Sequence, residues 1–270
     1  MKYRMVAVDL DDSLLGDDLN ISQANQEAIF EAIKEDVLVT IATGRMFQSA
    51  LPYMEKLRLD IPVITYQGAL IKNAMSGEVL IHRTIPLEYA LLILRECKKT
   101  NTYLQVYCDD QYYMEEENEK SELYKRLSGL PGIPVGPLEE FLTREPTKML
   151  IIDEPENIQR LKKRFDRILG GKLQITVSKP NYLEFTHVDA TKGAAVAYLA
   201  ELLSIKREEI IAIGDSYNDI PMIEYAGLGV AMGNAPEEVK KHADYVTLSN
   251  EEQGVAHVID RFILGGRMGY

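Results

Sequence analysis

The sequence of 270 residues predicts an α/β fold in which a doubly wound parallel sheet is interrupted by an inserted α+β segment. Apolar strands alternate with amphipathic helices at both ends of the chain, which favours parallel strands joined by crossover helices. The middle, about residues 84–188, instead holds alternating strands bounded by turn residues. We therefore expect residues 1–83 and 189–270 to form one discontinuous domain, with residues 84–188 as a second domain inserted into it.

The first outer part has the order strand, helix, strand, helix, strand. Its predicted buried strands are Met5–Leu10, Val37–Ala42 and Pro62–Tyr66. Ser22 is the predicted N-cap of the first helix, because an apolar stripe at helical spacing follows it. The second helix is predicted over Met46–Leu57.

The second outer part repeats this order, whereas the insertion does not. The predicted elements of the second outer part are Lys192–Leu203, Ile210–Gly214, Ile220–Ala226, Leu228–Met232, Pro236–Ala243, Asp244–Leu248 and a last helix over about Gln253–Leu264. The predicted strands of the insertion are Thr102–Cys108, Gln111–Met114, Lys148–Ile152, Leu173–Val177 and Tyr182–Phe185. Two helices, near Leu87–Thr100 and Asn157–Leu169, interleave with them, and Asp109-Asp110 is a predicted turn.

The chain is acidic, with a formal net charge of −12 and a sequence pI of about 4.9. Such a surface repels the phosphates of nucleic acids and anionic lipid headgroups, so we expect neither nucleic acid nor membrane as a partner. Cys97 and Cys108 are too few for a disulfide framework, and we expect buried free thiols. The apolar run before Asp9 is too short for a signal peptide, and no run reaches the length of a membrane span. These features predict a cytoplasmic protein.

Paired carboxylates lie at the carboxyl end of the first predicted strand, in the sequence Asp9-Leu10-Asp11-Asp12-Ser13. Strand alternation places Asp9 and Asp11 on the same side, at the carboxyl edge where open α/β sheets bind ligands. Two carboxylates this close repel each other unless a cation or a proton lies between them, and a hard divalent cation suits their oxygens. In a chain with 42 acidic residues, a solvated acidic turn is the competing interpretation.

Three further polar clusters belong to the other strands and helices of the outer parts. Thr43-Gly44-Arg45 ends the second strand, where a hydroxyl and free backbone N–H groups can cradle an anion. Lys192-Gly193 opens a helix, and Gly214-Asp215-Ser216-Tyr217-Asn218-Asp219 follows another buried strand. Each has an ordinary explanation when taken alone: a strand-to-helix turn, a solvated lysine, and helix capping. Together the four clusters predict a nucleophile, an acid, metal ligands and phosphate-holding groups at one edge of the sheet.

The order of these clusters resembles the haloacid dehalogenase (HAD) superfamily of phosphotransferases. The positions that match its four motifs are Asp9 to Ser13, Thr43, Lys192, and Asp215 with Asp219. The stretches most similar to the Cof-type subfamily are Thr43-Gly44-Arg45, Gly214 to Ala235 and Glu252 to Ala256. The resemblance spans essentially the whole chain and implies a Rossmann-like core with residues 84–188 as an α+β cap.

Several positions depart from the family pattern. Asp12 stands where glycine is commonest, Ser13 where threonine is usual, and Asp36 where glycine is expected before the second strand. Aspartate adopts a positive φ more readily than most residues, which suits the first and third of these positions. Gln67-Gly68-Ala69 replaces the usual Asn-Gly-Ala, and we expect any effect of Gln67 in contacts to the leaving group.

The resemblance implies a Mg²⁺-dependent phosphatase of small phosphate monoesters, with sugar phosphates as the family's commonest substrates. It implies Asp9 as the nucleophile that forms an aspartyl-phosphate, and Asp11 as the acid and then the base. The implied metal ligands are Asp9, Asp215 and the backbone carbonyl of Asp11. The implied phosphate-holding groups are Thr43, Lys192, Asn218 and the backbone near Leu10 and Gly44. Asp219 and Arg45 are implied as supporting residues, with Asp219 orienting Lys192 or a metal-bound water.

Three alternatives remain open at this point. A phosphosugar mutase on the same scaffold would differ by lacking multiple-turnover phosphate release. A catalytically idle sensor of phosphorylated metabolites would not need both a nucleophile and an acid. A metal-dependent receiver domain also uses clustered aspartates, a threonine and a lysine, but such domains are much shorter than this chain.

Overall fold

The computed structural model describes residues 2–58 and 62–269. The elements of the first part are β1 (Met5–Val8), α1 (Gln23–Lys34), β2 (Leu38–Ile41), α2 (Phe47–Lys56), β3 (Pro62–Thr65), β4 (Leu70–Asn73) and β5 (Val79–His82). Those of the middle are α3 (Leu87–Lys99), β6 (Leu104–Cys108), β7 (Gln111–Met114), α4 (Glu119–Ser128), β8 (Ile133–Pro134), α5 (Leu138–Phe141), β9 (Lys148–Ile152), α6 (Pro155–Leu169), β10 (Leu173–Lys179) and β11 (Tyr182–His187). Those of the last part are α7 (Lys192–Leu202), β12 (Ile210–Gly214), α8 (Ile220–Tyr225), β13 (Leu228–Ala231), α9 (Glu237–Lys240), β14 (Tyr245–Val246) and α10 (Gly254–Ile259).

A five-stranded parallel sheet in the order β14-β13-β12-β1-β2 confirms the predicted parallel core. Its register aligns Val8 of β1 with Ile41 of β2 on one side and with Ile213 of β12 on the other. Because the strands are parallel, the chain leaves all three at the same carboxyl edge. This register therefore brings the residues after Val8, Ile41 and Ile213 together.

Helices cover both faces of this sheet. On one face, Val6 and Val8 share a core with Ile29 of α1 and Val258 of α10. Met5 and Ala7 alternate to the other face and are also fully buried. Burial of both faces explains why β1 is a continuous apolar run rather than an alternating one.

The chain divides into two compact units. One comprises Met1–Arg45, Ala50–Leu80 and Thr191–Tyr270, and contains the parallel sheet. The other comprises Met46–Ser49 and Ile81–Ala190, and contains a six-stranded sheet in the order β10-β11-β9-β6-β7-β8. The pairs in this sheet are antiparallel except for β7 with β8. That residues 84–188 act as a cap stays a prediction.

The second unit has its own apolar core between its sheet and its helices. Ile93 of α3 and Phe165 of α6 pack against residues of β6 and β11, including Val106 and Phe185. The rings of Phe165 and Phe185 meet edge to face with centroids 4.8 Å apart. The free cysteines Cys97 and Cys108 are buried, as the sequence predicted.

Local signals account for several turns. The backbone N–H of Asn25 donates to Oγ of Ser22 at 3.2 Å, which confirms the predicted cap of α1. Asp12 and Asp36 have φ values of 57° and 60°, the positive values predicted for these glycine-like positions. Five elements were not predicted: helices α4 and α5 and strands β4, β5 and β8, the last of which lies in a stretch, Gly129 to Pro134, that was expected to be a loop. No helix among residues 2–58 and 62–269 is both long enough and apolar enough to cross a bilayer.

Candidate active site

Asp9 is the first residue after the central strand β1, and its side chain is almost wholly buried at 7% exposure. Its backbone N–H donates to the carbonyl oxygen of Ile213 at 2.9 Å, which continues the pairing with β12 by one residue. The N–H of Leu14 donates in turn to the Asp9 carbonyl oxygen at 3.2 Å and closes a single turn over Leu10–Leu14. The backbone on both sides of Asp9 is therefore fixed, and its carboxylate lies at the carboxyl edge of the sheet.

Lys192 brings a buried positive charge to this carboxylate. It is the first residue of α7, which is capped by Oγ1 of Thr191 accepting from Ala194 N–H at 3.1 Å. A Cβ added to Gly193 would lie 2.3 Å from the carbonyl oxygen of Pro221, so only glycine allows α7 to begin this close to α8. The Lys192 ammonium donates to Oδ1 of Asp9 and, at 2.5 Å, to Oδ1 of Asp219.

Asp219 uses both of its carboxylate oxygens within the protein. Its Oδ1 accepts from Lys192, and its Oδ2 accepts the backbone N–H groups of Asp215 and Ser216 at 3.1 and 3.0 Å. A Cβ added to Gly214 would lie 2.5 Å from Cβ of Asp219, so the glycine makes room for this arrangement. The contacts favour Asp219 as the residue that orients Lys192 and the loop after β12.

Asp215 completes a group of acids that could hold a cation. One carboxylate oxygen from each of Asp9, Asp215 and Asp219 lies within 4.8 Å of the others. Oγ of Ser13 donates to Oδ1 of Asp215 at 3.1 Å. Three carboxylates against one ammonium, that of Lys192, leave two negative formal charges in excess.

Burial, together with repulsion among these acids, raises the pKa values of two of them. Burial raises the pKa of Asp9 well above its ordinary value, and Asp219 and Asp215 add to the effect against the opposing charge of Lys192. Burial, followed by repulsion from Asp219, raises the pKa of Asp215 to about 7. The pKa of Lys192 is raised despite its burial, because Asp219 and Asp9 outweigh the loss of hydration. A hard divalent cation fits a site that combines carboxylate oxygens with uncompensated negative charge.

The carboxylate of Asp11 is not part of this group. Its side chain is 44% exposed and is held by the guanidinium of Arg45, with Nη2 to Oδ1 at 2.5 Å and Nε to Oδ2 at 2.9 Å. Arg45 also lies over the ring of Tyr53, with Cζ 5.2 Å from the ring centroid. Burial lowers the pKa of Arg45, but the bonds to Asp11 outweigh this and raise it overall.

Apart from Lys192 at the start of α7, the predicted phosphate-holding residues lie on three loops. Thr43 is buried two residues after the end of β2, and its Oγ1 accepts the backbone N–H of Arg45 at 3.1 Å. The side chain of Leu10 lies in the apolar core, so only its backbone N–H is available to bind a phosphoryl oxygen. Nδ2 of Asn218 donates to Oε1 of Gln67 at 2.9 Å, which ties the loop after β12 to the turn after β3.

Two contacts around the site were not predicted from the sequence: that of Ser13 with Asp215, and that of Gln67, expected to affect the leaving group, with Asn218. Ser13 lies within the Asp-x-Asp-x-Ser pattern, and its hydroxyl next to the acids was a usable signal for contact with Asp215. Gln67 contacts Asn218, which lies 151 positions later in the chain, and no local sequence pattern predicts that contact.

Comparison with known proteins covers nearly the whole chain. The sequence profile of the haloacid dehalogenase-like hydrolases matches residues 6–259. The 5-amino-6-(5-phospho-D-ribitylamino)uracil phosphatase YwtE of Bacillus subtilis is 32% identical over 287 residues, covering 97% of this chain and 99% of that protein. The Bacillus subtilis phosphatase YwpJ is 30% identical, covering 96% of this chain and 100% of its own length.

Solved structures of haloacid dehalogenase-like proteins also match nearly the whole chain. The structure of TM0651 from Thermotoga maritima has a TM-score of 0.88 and 37% identity, covering 96% of this chain and 97% of that chain. The HAD subclass IIB sugar phosphatase BT4131 has a TM-score of 0.84 and 25% identity, covering 96% of this chain and 98% of that chain. With the motif residues gathered at one sheet edge, these matches show that the chain belongs to the haloacid dehalogenase-like hydrolases and is a Cof-type phosphatase.

Proposed function

We propose that this phosphatase hydrolyses small phosphate monoesters, sugar phosphates foremost, with Mg²⁺ and through an aspartyl-phosphate on Asp9. The observation that carries the proposal is the sharing of one buried lysine, Lys192, by Asp9 and Asp219 next to a third acid, Asp215. A purely structural ion pair needs only one acid for one base. Burying uncompensated charge lowers the stability of the folded state. Groups with strongly shifted pKa values are also concentrated at functional sites.

Asp9 is the proposed nucleophile. Lys192 contacts its Oδ1, whereas no residue in the described ranges donates to Oδ2. Oδ2 therefore has lone pairs available to attack phosphorus. Attack forms the Asp9 Oδ2–P bond and breaks the bond between phosphorus and the ester oxygen, and water later cleaves the acyl phosphate to release inorganic phosphate.

Asp9, Asp215 and the backbone carbonyl of Asp11 are the proposed Mg²⁺ ligands. Asp219 is assigned to positioning instead, because its Oδ1 accepts from Lys192 and its Oδ2 accepts from two backbone N–H groups of the loop after β12. When bound, the cation offsets the repulsion between the anionic nucleophile and the anionic phosphoryl group. Asp219 then acts through Lys192, by fixing the ammonium beside Asp9.

Asp11 is the proposed acid and base. It is the most exposed carboxylate of the motif residues assigned to the chemistry, and Arg45 holds its plane through both oxygens. We propose that it donates a proton to the leaving alkoxide, and that the resulting carboxylate then takes a proton from the attacking water. The arginine fork orients the ionised carboxylate, which suits the base step, and protonation of Asp11 for the acid step releases one of its two oxygens from the fork.

The groups proposed to hold the equatorial phosphoryl oxygens are Thr43, Lys192, Asn218 and the backbone N–H groups near Leu10 and Gly44. In phosphoryl transfer the developing charge spreads over these oxygens, so positioned donors contribute directly to the rate. The Asn218 amide is fixed by Gln67, and the ammonium of Lys192 by Asp219.

The proposed substrate class rests on the relatives. YwtE is named for a substrate with a phosphorylated ribityl chain, and BT4131 is described as a sugar phosphatase. Both substrates are phosphate monoesters of polyhydroxylated carbon chains. We propose the same class here, with residues 84–188 as the cap that selects the leaving group. The net charge of −12 supports an enzyme without nucleic acid or membrane partners, and the free cysteines Cys97 and Cys108 support a cytoplasmic location.

The proposal is tested by measuring phosphate release from a panel of phosphate esters with Mg²⁺, with EDTA, and with the Asp9→Asn variant. We expect multiple turnovers with Mg²⁺, none with EDTA, and recovery when Mg²⁺ is restored. Isomerised phosphosugar without free phosphate would instead identify a mutase. Full activity in EDTA would contradict the metal assignment.

A further inference from the structure

Gln67 lies where three loops around the active site meet. Its backbone N–H donates to the carbonyl oxygen of Thr43 at 3.1 Å. On the other side of the turn, a Cβ added to Gly68 would lie 2.4 Å from the carbonyl oxygen of Thr191, the residue that caps α7. The turn Tyr66–Gly68 is thus packed against both the loop after β2 and the start of α7.

The side chain of Gln67 joins two of the segments proposed to hold phosphoryl oxygens. Its Oε1 accepts from Nδ2 of Asn218 at 2.9 Å. Its Nε2 lies so close to Gly44 that a Cβ on that glycine would be 2.3 Å away. The amide is therefore confined between the loop after β2 and the loop after β12, and a side chain at position 44 would displace it.

The backbone of Gln67 is in the left-handed region, with φ 61° and ψ 15°. The preceding Tyr66 also has a positive φ, of 51°. Glycine and asparagine adopt this conformation readily, whereas for most other L-residues it is unfavourable. Backbone strain of this kind is retained where the surrounding structure and function require it, and here the side chain makes a contact that glycine cannot make.

We infer that Gln67 is a positioning residue, which fixes the amide of Asn218 for the phosphoryl group. This inference rests on the proposed role of Asn218. The Asn218 amide nitrogen has two N–H groups, and Gln67 occupies one of them. The second N–H is then set in a fixed direction, so that a phosphoryl oxygen can accept it without further ordering of the side chain.

The inference is tested with Gln67→Asn, Asn218→Ala and the double variant. Asparagine keeps an amide and tolerates positive φ, but it is one methylene shorter and cannot reach Asn218 from the same backbone. We expect Gln67→Asn to lower kcat/KM on a sugar phosphate about tenfold, the effect of one lost hydrogen bond. Binding of inorganic phosphate, measured by calorimetry with Mg²⁺ present, should weaken by a similar factor.

Coupling between the two residues separates positioning from a general structural role. We expect the double variant to bind phosphate no more weakly than Asn218→Ala alone, because Gln67 acts only through Asn218. The melting temperature and Mg²⁺ requirement of Gln67→Asn should match those of the wild type. Multiplied losses in the double variant, or wild-type phosphate binding by Gln67→Asn, would overturn the inference. Phosphate binding can be measured without turnover, so it tests the role of Gln67 independently of the proposed function. Failure of the proposed function would instead be seen as wild-type protein that releases no phosphate.

Discussion

The guanidinium of Arg45 holds the carboxylate of Asp11 through both of its oxygens, at 2.5 and 2.9 Å. Asp11 is thereby kept outside the buried group of Asp9, Asp215 and Asp219. Two carboxylates separated by a single residue, Leu10, thus have different surroundings: one lies beside a buried lysine, and the other is half exposed in an arginine fork. This difference matches the two roles proposed for them.

The first prediction concerns the acid. Asp11→Asn should slow turnover of a sugar phosphate by about 10²- to 10⁴-fold, because an alkoxide leaving group needs a proton. Formation of the aspartyl-phosphate from p-nitrophenyl phosphate should fall much less, since nitrophenolate leaves without protonation. Rapid-mixing measurements of both half-reactions provide the test, and equal losses on the two substrates would count against the role of Asp11.

The second prediction concerns Arg45 as the residue that orients Asp11. Arg45→Ala should reproduce the same selective loss on the sugar phosphate, at about tenfold or more, because the carboxylate is no longer held. Tyr53→Phe is the matched control, since it keeps the ring under Arg45 and removes only the hydroxyl that Nη1 contacts at 3.4 Å. If the Arg45 and Tyr53 variants behave alike, the fork has no role in catalysis.

The third prediction concerns Asp215 and pH in the metal-free protein. Its pKa is raised to about 7 by burial and by Asp219, whereas an unfolded aspartate titrates near its ordinary value of about 3.9. Between these values the native state binds the extra proton, so this group lowers stability as pH rises from about 4 to about 7. Asp215→Asn should therefore raise the melting temperature of the metal-free protein at pH 8 by several degrees and change it little near pH 4.

Metal binding offers the complementary readout for Asp215. Mg²⁺ should raise the melting temperature of the wild-type protein at pH 8, since it binds the charged native site. The Asp215→Asn variant should show little of this stabilisation. A variant that is stabilised by Mg²⁺ as much as the wild type would remove Asp215 from the metal site.

The fourth prediction concerns Lys192, the shared cation. Lys192→Met keeps most of the volume but leaves Asp9 and Asp219 without their buried partner, so we expect a loss of about 3–5 kcal/mol in the free energy of unfolding at pH 8. Lys34→Met is the matched control, because it breaks the exposed pair with Glu31, with side chains 70% and 45% exposed. That change should stay within about 0.5 kcal/mol. Similar denaturant midpoints for the two variants would show that Lys192 does not stabilise the acids.

Much of this arrangement was predictable because it depends on local pattern. Apolar runs that end in acids located β1 and β12, and parallel pairing then required Asp9 and Asp215 to meet at one edge. The acid Asp36 at a positive φ also followed from its position before β2. What local pattern cannot supply is a contact between loops, such as Gln67 with Asn218 or Arg45 with Asp11, because each depends on how side chains from separate strands are directed.

The missed elements have a similar explanation. Helix α4 is rich in charged residues, and of its side chains only Ser121 and Tyr124 are buried, so it has little apolar periodicity. Its signal lay in the cap instead: Asn118 accepts from Ser121 N–H at 3.0 Å, and Ser121 Oγ accepts from Asn118 N–H at 2.8 Å. The strand Val79–His82 has no fully buried residue, which removes the alternation that predicts a strand.

The central claim is that Asp9 carries the phosphoryl group. Its most direct test is to react the Asp11→Asn variant with p-nitrophenyl phosphate, reduce the quenched protein with borohydride, and sequence its peptides by mass spectrometry. Borohydride converts an aspartyl-phosphate to homoserine, and the Asp11 substitution should slow its hydrolysis so that it accumulates. We predict homoserine at position 9 and at no other aspartate, and none when substrate is omitted. Homoserine at another position, or phosphate release with position 9 unmodified throughout, would contradict the account.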